Sequence, residues 1–275
     1  MNENILAAIA EKTKERIREE RRKIPLFEMR NNAEAVAAFG TGRQNRPTFY
    51  QALAKPGMSF ICEVKKASPS KGVIAEDFPY LQIAGEYEAA GAAAISCLTE
   101  PYYFQGSDRY LKQIASTAAI PVHGAAGVAA EGHGDESRRD GRRAAAGAAA
   151  ILLICAILDD AQLKSYMELA VSLRLDVLTE AHTEEEIERA VRAGASIIGV
   201  NNRDLKTFRV DLNTSIAMRS LVPPEILFVS ESGIRTAADI EKLYANGTNA
   251  VLIGETLMRS PAKKAMLDEL RGMVR

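Results

Sequence analysis

The 275-residue sequence predicts a single (β/α)8 TIM barrel, in which eight parallel strands alternate with helices, preceded by an N-terminal helical extension. Three observations lead to this prediction. One pattern recurs at intervals of about fifty residues, further apolar segments lie between its copies, and no dinucleotide-binding glycine motif follows any predicted strand. At 47% hydrophobic residues the chain can bury one large core, so we expect residues 1–275 to form one domain.

The recurring pattern joins the end of a helix to a glycine and then to an apolar strand. Its four copies are YEAAGAAAISCLTE (87–100), RAAAGAAAILLICA (143–156), RAVRAGASIIGVNN (189–202) and KLYANGTNAVLIGE (242–255). The glycines are Gly91, Gly147, Gly194 and Gly247. Because glycine best tolerates the left-handed backbone that ends a helix, we predict that conformation at all four.

Four more strands are predicted at residues 58–65, 118–122, 173–178 and 225–230. Their apolar runs are continuous rather than alternating, which indicates parallel strands covered by helices. An open doubly wound sheet is the alternative, but it would carry a glycine-rich loop after an early strand. Residues 1–50 predict an amphipathic helix and a shorter second helix, an extension that could close one end of the barrel in a structural role.

The charge balance favours a small-molecule partner. With 35 basic and 36 acidic residues, the chain has no global field that would attract nucleic acid or a membrane surface. It has neither a membrane-spanning apolar run nor a signal peptide, so we expect a cytoplasmic protein. Cys62, Cys97 and Cys155 lie in apolar runs without CxxC spacing, which predicts reduced core thiols.

Polar residues collect where the predicted strands end, which is where (β/α)8 barrels carry their chemistry. Glu63 and Lys65 end the first strand and share a face, while Glu180 and Asn201 end two later strands. We interpret Glu63, Lys65 and Glu180 as candidate acid and base groups. The alternative is a structural ion-pair network.

SESGI (230–234) and LIGETLM (252–258) place glycines between strand and helix, which indicates phosphate binding or two ordinary tight turns.

Segments 63–72, 99–111, 180–186, 199–208 and 229–234 resemble the indole-3-glycerol-phosphate synthase family of tryptophan biosynthesis. The resemblance covers most of the chain. It implies ring closure of 1-(2-carboxyphenylamino)-1-deoxyribulose 5-phosphate, with loss of carbon dioxide and water. It implies a phosphorylated small-molecule substrate, with no cofactor and no metal.

The resemblance also implies roles for individual residues. Its catalytic residues would be Glu63, Lys65, Glu180, Asn201 and Ser232. The substrate would contact Ser68, Pro69, Phe104, Arg203, Leu205 and Glu231. The phosphate would bind at Lys65, Ser232, Gly233, Gly254 and Glu255. Among these, Glu180 would act as general base or acid in the dehydration, and Lys65 would hold an anionic group and assist proton transfer.

Residues 123–144 depart from the family's pattern. The family's third strand ends in Leu-Arg-Lys-Asp-Phe, whose lysine is the general acid, whereas Ala125 and Gly127 stand at the lysine and phenylalanine positions here. The segment lacks a helical stripe, so we expect it to be poorly ordered. Lys65 or, less favourably, His123 could supply the proton instead. Glu131, His133 and Asp135 could form a metal site, but a solvated loop is the preferred interpretation.

Three functional hypotheses follow. The first is the synthase, with activity reduced by the missing lysine, and the second is a catalytically inactive homologue that binds phosphate and serves as a binding or assembly partner. The third is another phosphate-binding barrel enzyme such as the pathway's isomerase, which segments 63–72 and 201–205 oppose. We expect a monomer, with association with other tryptophan-pathway enzymes left open.

Overall fold

The computed structural model describes residues 5–22, 27–28, 31–32, 34–35, 46–125, 146–204 and 206–272. The strands are β1 (Ser59–Val64), β2 (Ala67–Ser68), β3 (Gly72–Val73), β4 (Ala94–Leu98), β5 (Val122–Ala125), β6 (Ala150–Ile154), β7 (Asp176–Ala181), β8 (Ile197–Asn201), β9 (Leu227–Glu231) and β10 (Ala250–Ile253). The helices are α1 (Ile5–Arg21), α2 (Phe49–Leu53), α3 (Tyr80–Ala89), α4 (Asp108–Thr117), α5 (Asp160–Ser172), α6 (Glu184–Arg192), α7 (Asn213–Met218), α8 (Ala237–Ala245), α9 (Glu255–Arg259) and α10 (Lys263–Arg271). Short 3-10 turns cover Cys155–Ile157 and Arg219–Leu221.

Eight parallel strands close into a barrel in the order β1-β10-β9-β8-β7-β6-β5-β4. The predicted (β/α)8 fold is therefore confirmed. The remaining two strands, β2 and β3, form a small antiparallel hairpin in the loop after β1. Since each barrel strand pairs with its neighbours in chain order, the carboxyl ends of all eight meet at one rim.

Two predicted strands begin too early in the sequence. The segment predicted at 118–122 overlaps β5 only at Val122, and the one predicted at 173–178 overlaps β7 from Asp176 onward. Leu173 caps the end of α5 and Arg174 has a positive φ of 54°, so both belong to the helix terminus. Apolar residues that end a helix and apolar residues that begin a strand look alike in sequence.

The four repeat glycines have the predicted backbone. Gly91, Gly147, Gly194 and Gly247 have φ values of 80°, 92°, 90° and 82°. Three of them follow the C-terminal caps of α3, α6 and α8, whereas residues 126–145, which precede Ala146 and Gly147, lie outside the described residues. Gly91, Gly194 and Gly247 therefore mark equivalent helix-to-strand turns around the barrel.

The N-terminal extension reaches both ends of the barrel. Phe49 and Leu53 of α2 are fully buried against residues that begin the strands, including Ala94 and Ala250, so α2 closes the amino-terminal end. In contrast, α1 packs Leu6, Ile9 and Ala10 against Ile154 at the carboxyl-terminal end of β6. The expectation that the extension is purely structural does not describe α1, which borders the cavity described below.

Residues 123–125 were expected to belong to a poorly ordered segment, and for these three residues the expectation is wrong. His123, Gly124 and Ala125 form the end of β5 and pair with Ser96, Cys97 and Leu98 of β4. The hydrogen-bonded ladder holds them in place, although their composition is unusual for a buried strand. Residues 126–145 lie outside the described residues.

The cysteines are core residues, as predicted. All three thiols are free and buried, and burial raises the pKa of the Cys155 thiol to about 12. Such thiols are poor nucleophiles at neutral pH because the thiolate is the reactive form.

Within the described parts of the chain, no helix is long and apolar enough to cross a membrane.

Candidate active site

A cavity of about 450 Å³ opens at the carboxyl ends of the strands. It is lined by the predicted site residues Glu63, Lys65, Ser68, Pro69, Phe104, Glu180, Asn201, Arg203, Glu231, Ser232, Gly233, Gly254 and Glu255. Leu205, which was predicted with them, lies outside the described residues. Polar groups from several strands thus share one concave space, which favours a binding site over scattered ion pairs.

At the end of β1, the Lys65 ammonium forms an ion pair with the Glu63 carboxylate. The glycine that follows β10 makes room for this pair. A Cβ atom at Gly254 would lie 3.0 Å from Lys65 Nζ and would overlap the Glu63 carboxylate. The pair therefore lies directly against the backbone at Gly254, where the sequence predicted a phosphate.

Glu180 and Asn201 are joined across neighbouring strands β7 and β8. The amide Nδ2 of Asn201 donates a hydrogen bond to Glu180 Oε1 at 3.2 Å, and Asn201 Oδ1 accepts one from the backbone N–H of Arg203 at 3.0 Å. Glu180 is only 5% exposed. Its orientation is therefore held by a neighbour whose own amide is fixed by the backbone.

The Glu231 carboxyl group is buried at the end of β9. Burial raises its pKa well above the usual range, and the nearby charges of Glu180 and Glu63 raise it further against the opposing effects of His182 and Lys65. No described residue hydrogen-bonds its Oε1 atom. The Glu231 carboxyl group therefore favours its protonated form more strongly than an exposed glutamate does.

One side of the cavity is apolar. Leu98, Phe104 and Ile154 line it together with Ile5, Leu6 and Ile9 of α1. The loop that carries Phe104 is organised by Glu100, whose buried carboxylate accepts backbone N–H bonds from Tyr102, Tyr103 and Phe104 at 2.9, 2.7 and 3.1 Å. This wall suits a flat aromatic group.

The opposite side offers backbone N–H groups and cations. Ser232 and Gly233 have positive φ values of 67° and 84°, and α9 begins directly after Gly254. Arg235 and Arg259 also line the cavity, and Arg259 Nε lies 3.0 Å from Glu255 Oε1. Because Glu255 is already paired, its contribution to anion binding would be its backbone N–H rather than its side chain.

The sequence reasoning missed several lining residues. Arg235 lies two residues beyond Gly233 in a loop already interpreted as anion-binding, so its position could have been noticed. The α1 residues carried no such signal. Apolar residues on an amphipathic helix look the same whether they face a protein core or a ligand cavity.

Ala125 lines the cavity at the end of β5, where the family's lysine was expected. Two residues earlier, His123 is buried, stacks on Phe49 with ring centroids 5.4 Å apart, and has Nδ1 3.3 Å from Ser96 Oγ. These contacts hold the imidazole in the cavity floor.

In the described chain no group of three or more His, Cys, Asp or Glu side chains is placed to hold a metal ion, and Glu131, His133 and Asp135 lie outside it.

Comparisons with known proteins identify the family and support the fold. A sequence model described as indole-3-glycerol phosphate synthase matches residues 6–270. The chain is 48% identical over 269 residues to the indole-3-glycerol phosphate synthase of Ruminiclostridium cellulolyticum, covering 98% of this chain and 99% of that protein. It is 53% identical over 229 residues to that of Endomicrobium trichonymphae, covering 83% and 86%.

Solved structures support the fold alone, because their sequence identities are low. A 3-hexulose-6-phosphate synthase superposes with a TM-score of 0.63 at 14% identity, covering 79% of this chain and 100% of that one. A mutant tryptophan synthase alpha-subunit from Pyrococcus furiosus superposes with a TM-score of 0.57 at 14% identity, covering 78% and 98%.

Proposed function

The chain belongs to the indole-3-glycerol phosphate synthase family, and from that premise we propose that it closes the indole ring of 1-(2-carboxyphenylamino)-1-deoxyribulose 5-phosphate. Carbon dioxide and water are lost, which makes the chain a carboxy-lyase. The observation that carries the proposal is the convergence of Glu63, Lys65, Glu180, Asn201 and Glu231 on one cavity.

The two sides of the cavity match the two ends of this substrate. The aromatic ring would pack in the apolar side, against Ser68, Pro69 and Phe104, with Leu205 as a further predicted contact. The phosphate would accept hydrogen bonds from the backbone at Ser232, Gly233, Gly254 and Glu255. Arg203 and Asn201, between the two, would bind carboxylate and hydroxyl groups.

The reaction needs a proton at the ketone oxygen as the new carbon–carbon bond forms. Ala125 has no proton to give, whereas the Lys65 ammonium lies in the cavity beside Glu63. We assign the proton to Lys65, which Glu63 positions. Carbon dioxide then leaves and restores the aromatic electrons. In the final dehydration the carbon–oxygen bond breaks, the hydroxyl group takes up a proton and leaves as water, and the adjacent ring carbon loses a proton; Glu180 is the general acid or base of this step. A family member without its third-strand lysine would work by this route more slowly.

A fluorescence assay of indole-3-glycerol phosphate formation tests the proposal. Turnover is expected for the natural chain, and Ala125→Lys should raise kcat by roughly a hundred to ten-thousandfold, the usual contribution of a positioned general acid. Lys65→Met should abolish turnover in the natural chain. The loss of turnover caused by Lys65→Met should be smaller in the Ala125→Lys background, where a second ammonium group is present.

Complete absence of turnover in well-folded protein would contradict the proposal. Binding of a substrate analogue without turnover would then identify an inactive phosphate-binding homologue. Activity on the substrate of the pathway's isomerase, with none on the synthase substrate, would identify the third hypothesis. The assay therefore separates all three hypotheses.

We also propose that residues 1–275 act as one domain and as a monomer in the cytoplasm. Size-exclusion chromatography with light scattering should give one species near the 29.8 kDa chain mass. A stable larger assembly would contradict this part. Adding other tryptophan-pathway enzymes to the same experiment tests association with them.

A further inference from the structure

The first turn of α6 carries a carboxylate, that of Glu186, which lies behind the candidate site. Thr183 caps α6, and its hydroxyl accepts the backbone N–H of Glu186 at 3.2 Å. In a capping box the glutamate at this position would reach back to the N–H of the cap residue. Here Glu186 Oε2 accepts the N–H of His182, one residue earlier, at 2.7 Å. The backbone N–H of His182 therefore holds the Glu186 carboxylate beside the His182 ring.

The His182 ring joins this carboxylate to Glu180. Its Nδ1 atom lies 3.4 Å from Glu186 Oε2, and its Nε2 atom lies 3.1 Å from Glu180 Oε1. Burial by itself would lower the imidazole pKa, but the two carboxylates outweigh it and raise the pKa to about 10. His182 is therefore an imidazolium at neutral pH, held between two anions.

Further charged and titratable groups surround this chain of contacts. Arg189 lies one turn after Glu186 on α6 and bonds the carbonyl of Cys155, whose thiol is also near Glu186. On the barrel side, the positive charge of His182 partly offsets the rise in the pKa of Glu231 on β9. In the described chain, only Glu180 and Glu186 lie within ion-pair distance of His182.

Neither His182 nor Glu186 lines the cavity, but Glu180 does. We propose that His182 and Glu186 are positioning residues for the reaction: Glu186 holds the His182 imidazolium, which in turn holds Glu180 Oε1 against Asn201 and directs the other carboxylate oxygen toward the substrate. This inference rests on the proposed function.

The charge of the cavity gives this chain a particular need for such a cation. The carboxylates of Glu63 and Glu180 converge on the cavity, and Lys65 is paired with Glu63. Ala125 leaves the lysine position without a charge. The imidazolium of His182 is the cation that balances Glu180, so Glu180 need not pair with Lys65 and both remain available to the substrate.

The test compares three variants of the full chain. Glu186→Gln keeps an acceptor for the His182 N–H but removes the negative charge behind the ring. Thr183→Ala removes the cap hydroxyl and leaves all charges in place, so it reports the purely structural contribution. His182→Gln removes the imidazolium itself. Each is assayed for indole-3-glycerol phosphate formation in the natural background and with Ala125→Lys.

We expect kcat to fall by about tenfold to a hundredfold in His182→Gln and Glu186→Gln, because misplacing a reacting group by about 1 Å has that order of effect. KM should stay within about twofold, since neither residue touches the substrate. Thr183→Ala should keep kcat within about twofold and lose only thermal stability. Equal losses of kcat in Glu186→Gln and Thr183→Ala would overturn the proposal.

The second readout does not depend on activity. Histidine is labelled and its imidazole signals are followed by NMR as the pH is raised; with three histidines in the chain, the signal lost in His182→Gln assigns the residue. The titration midpoint of His182 should fall in Glu186→Gln and stay unchanged in Thr183→Ala. An unchanged midpoint in Glu186→Gln would overturn the ion-pair chain. Absence of turnover in both backgrounds would instead overturn the proposed function, while the titration still reports the ion pairs.

Discussion

The carboxyl group of Glu231 occupies the space that a side chain at residue 199 would need. A Cβ atom at Gly199 would lie 3.2 Å from Glu231 Cδ and 3.1 Å from Leu178 Cδ1, and it would overlap Glu231 Oε1. Gly199 pairs with Val229 in the adjacent strand, two residues before Glu231. The glycine on β8 therefore allows Glu231 to lie inside the barrel.

Gly199→Ala should destabilise the protein by about 1–3 kcal/mol, because the added methyl group must displace a buried side chain. It should also lower turnover by moving Glu231. Urea unfolding and the fluorescence assay measure the two effects. Gly85→Ala is the matched control. Gly85 lies within α3 with open space around it, and we expect its replacement to raise the free energy of unfolding by roughly 0.5–1 kcal/mol. Equal effects at both positions would contradict the role given to Gly199.

Glu231→Gln should stabilise the protein increasingly as the pH rises. The folded-state pKa of Glu231 is raised, so above a pH of about 4.5 the unfolded chain releases a proton that the folded chain retains, and stability is lost. Glutamine lacks this proton equilibrium. The difference between variant and natural chain should grow by at most about 1.4 kcal/mol per pH unit. Urea unfolding at pH 4, 6 and 8 measures it, and a difference independent of pH would contradict a raised pKa for Glu231.

His182 should also contribute stability that is lost as the pH rises, but over a higher pH range than Glu231. Its folded-state pKa is raised from 6.5 to about 10, so its contribution is complete below pH 6.5 and is lost as the pH rises through 10. His182→Gln should therefore be less stable than the natural chain at pH 6. The gap should narrow toward pH 10. Thermal unfolding across this range checks the trend, and a gap that widens with pH would be inconsistent with an imidazolium at this position.

Glu100→Ala should loosen the apolar wall of the cavity. The buried Glu100 carboxylate accepts three backbone N–H bonds, and its loss leaves these donors unpaired at a cost of roughly 2–4 kcal/mol in stability. Phe104 would then be less well placed, so KM should rise more than kcat falls. Denaturant unfolding and steady-state kinetics measure both. An unchanged KM would show that this loop does not shape the substrate site.

The fold could be predicted from the sequence because its information is local. Gly91, Gly194 and Gly247 each mark a helix end with a backbone that glycine adopts most easily, and the apolar run after each one is long enough to recognise. The strand-end residues followed from the same reasoning, since a barrel brings all carboxyl ends to one rim. Strand limits were less certain where helix caps such as Leu173 are also apolar.

Other features depend on distances between elements that are far apart in sequence. The sequence did not show that α1 borders the cavity, because Leu6 meets Ile154 only after the barrel has closed. It did not show which carboxyl group has a raised pKa, because the pKa of Glu231 depends on burial and on charges from β1 and β7. The sequence by itself determined the barrel and the set of groups at its rim, since both follow from local backbone preference and strand order. The tertiary structure decided their protonation, orientation and pairing, because these depend on burial and on separations of a few ångströms across the closed barrel.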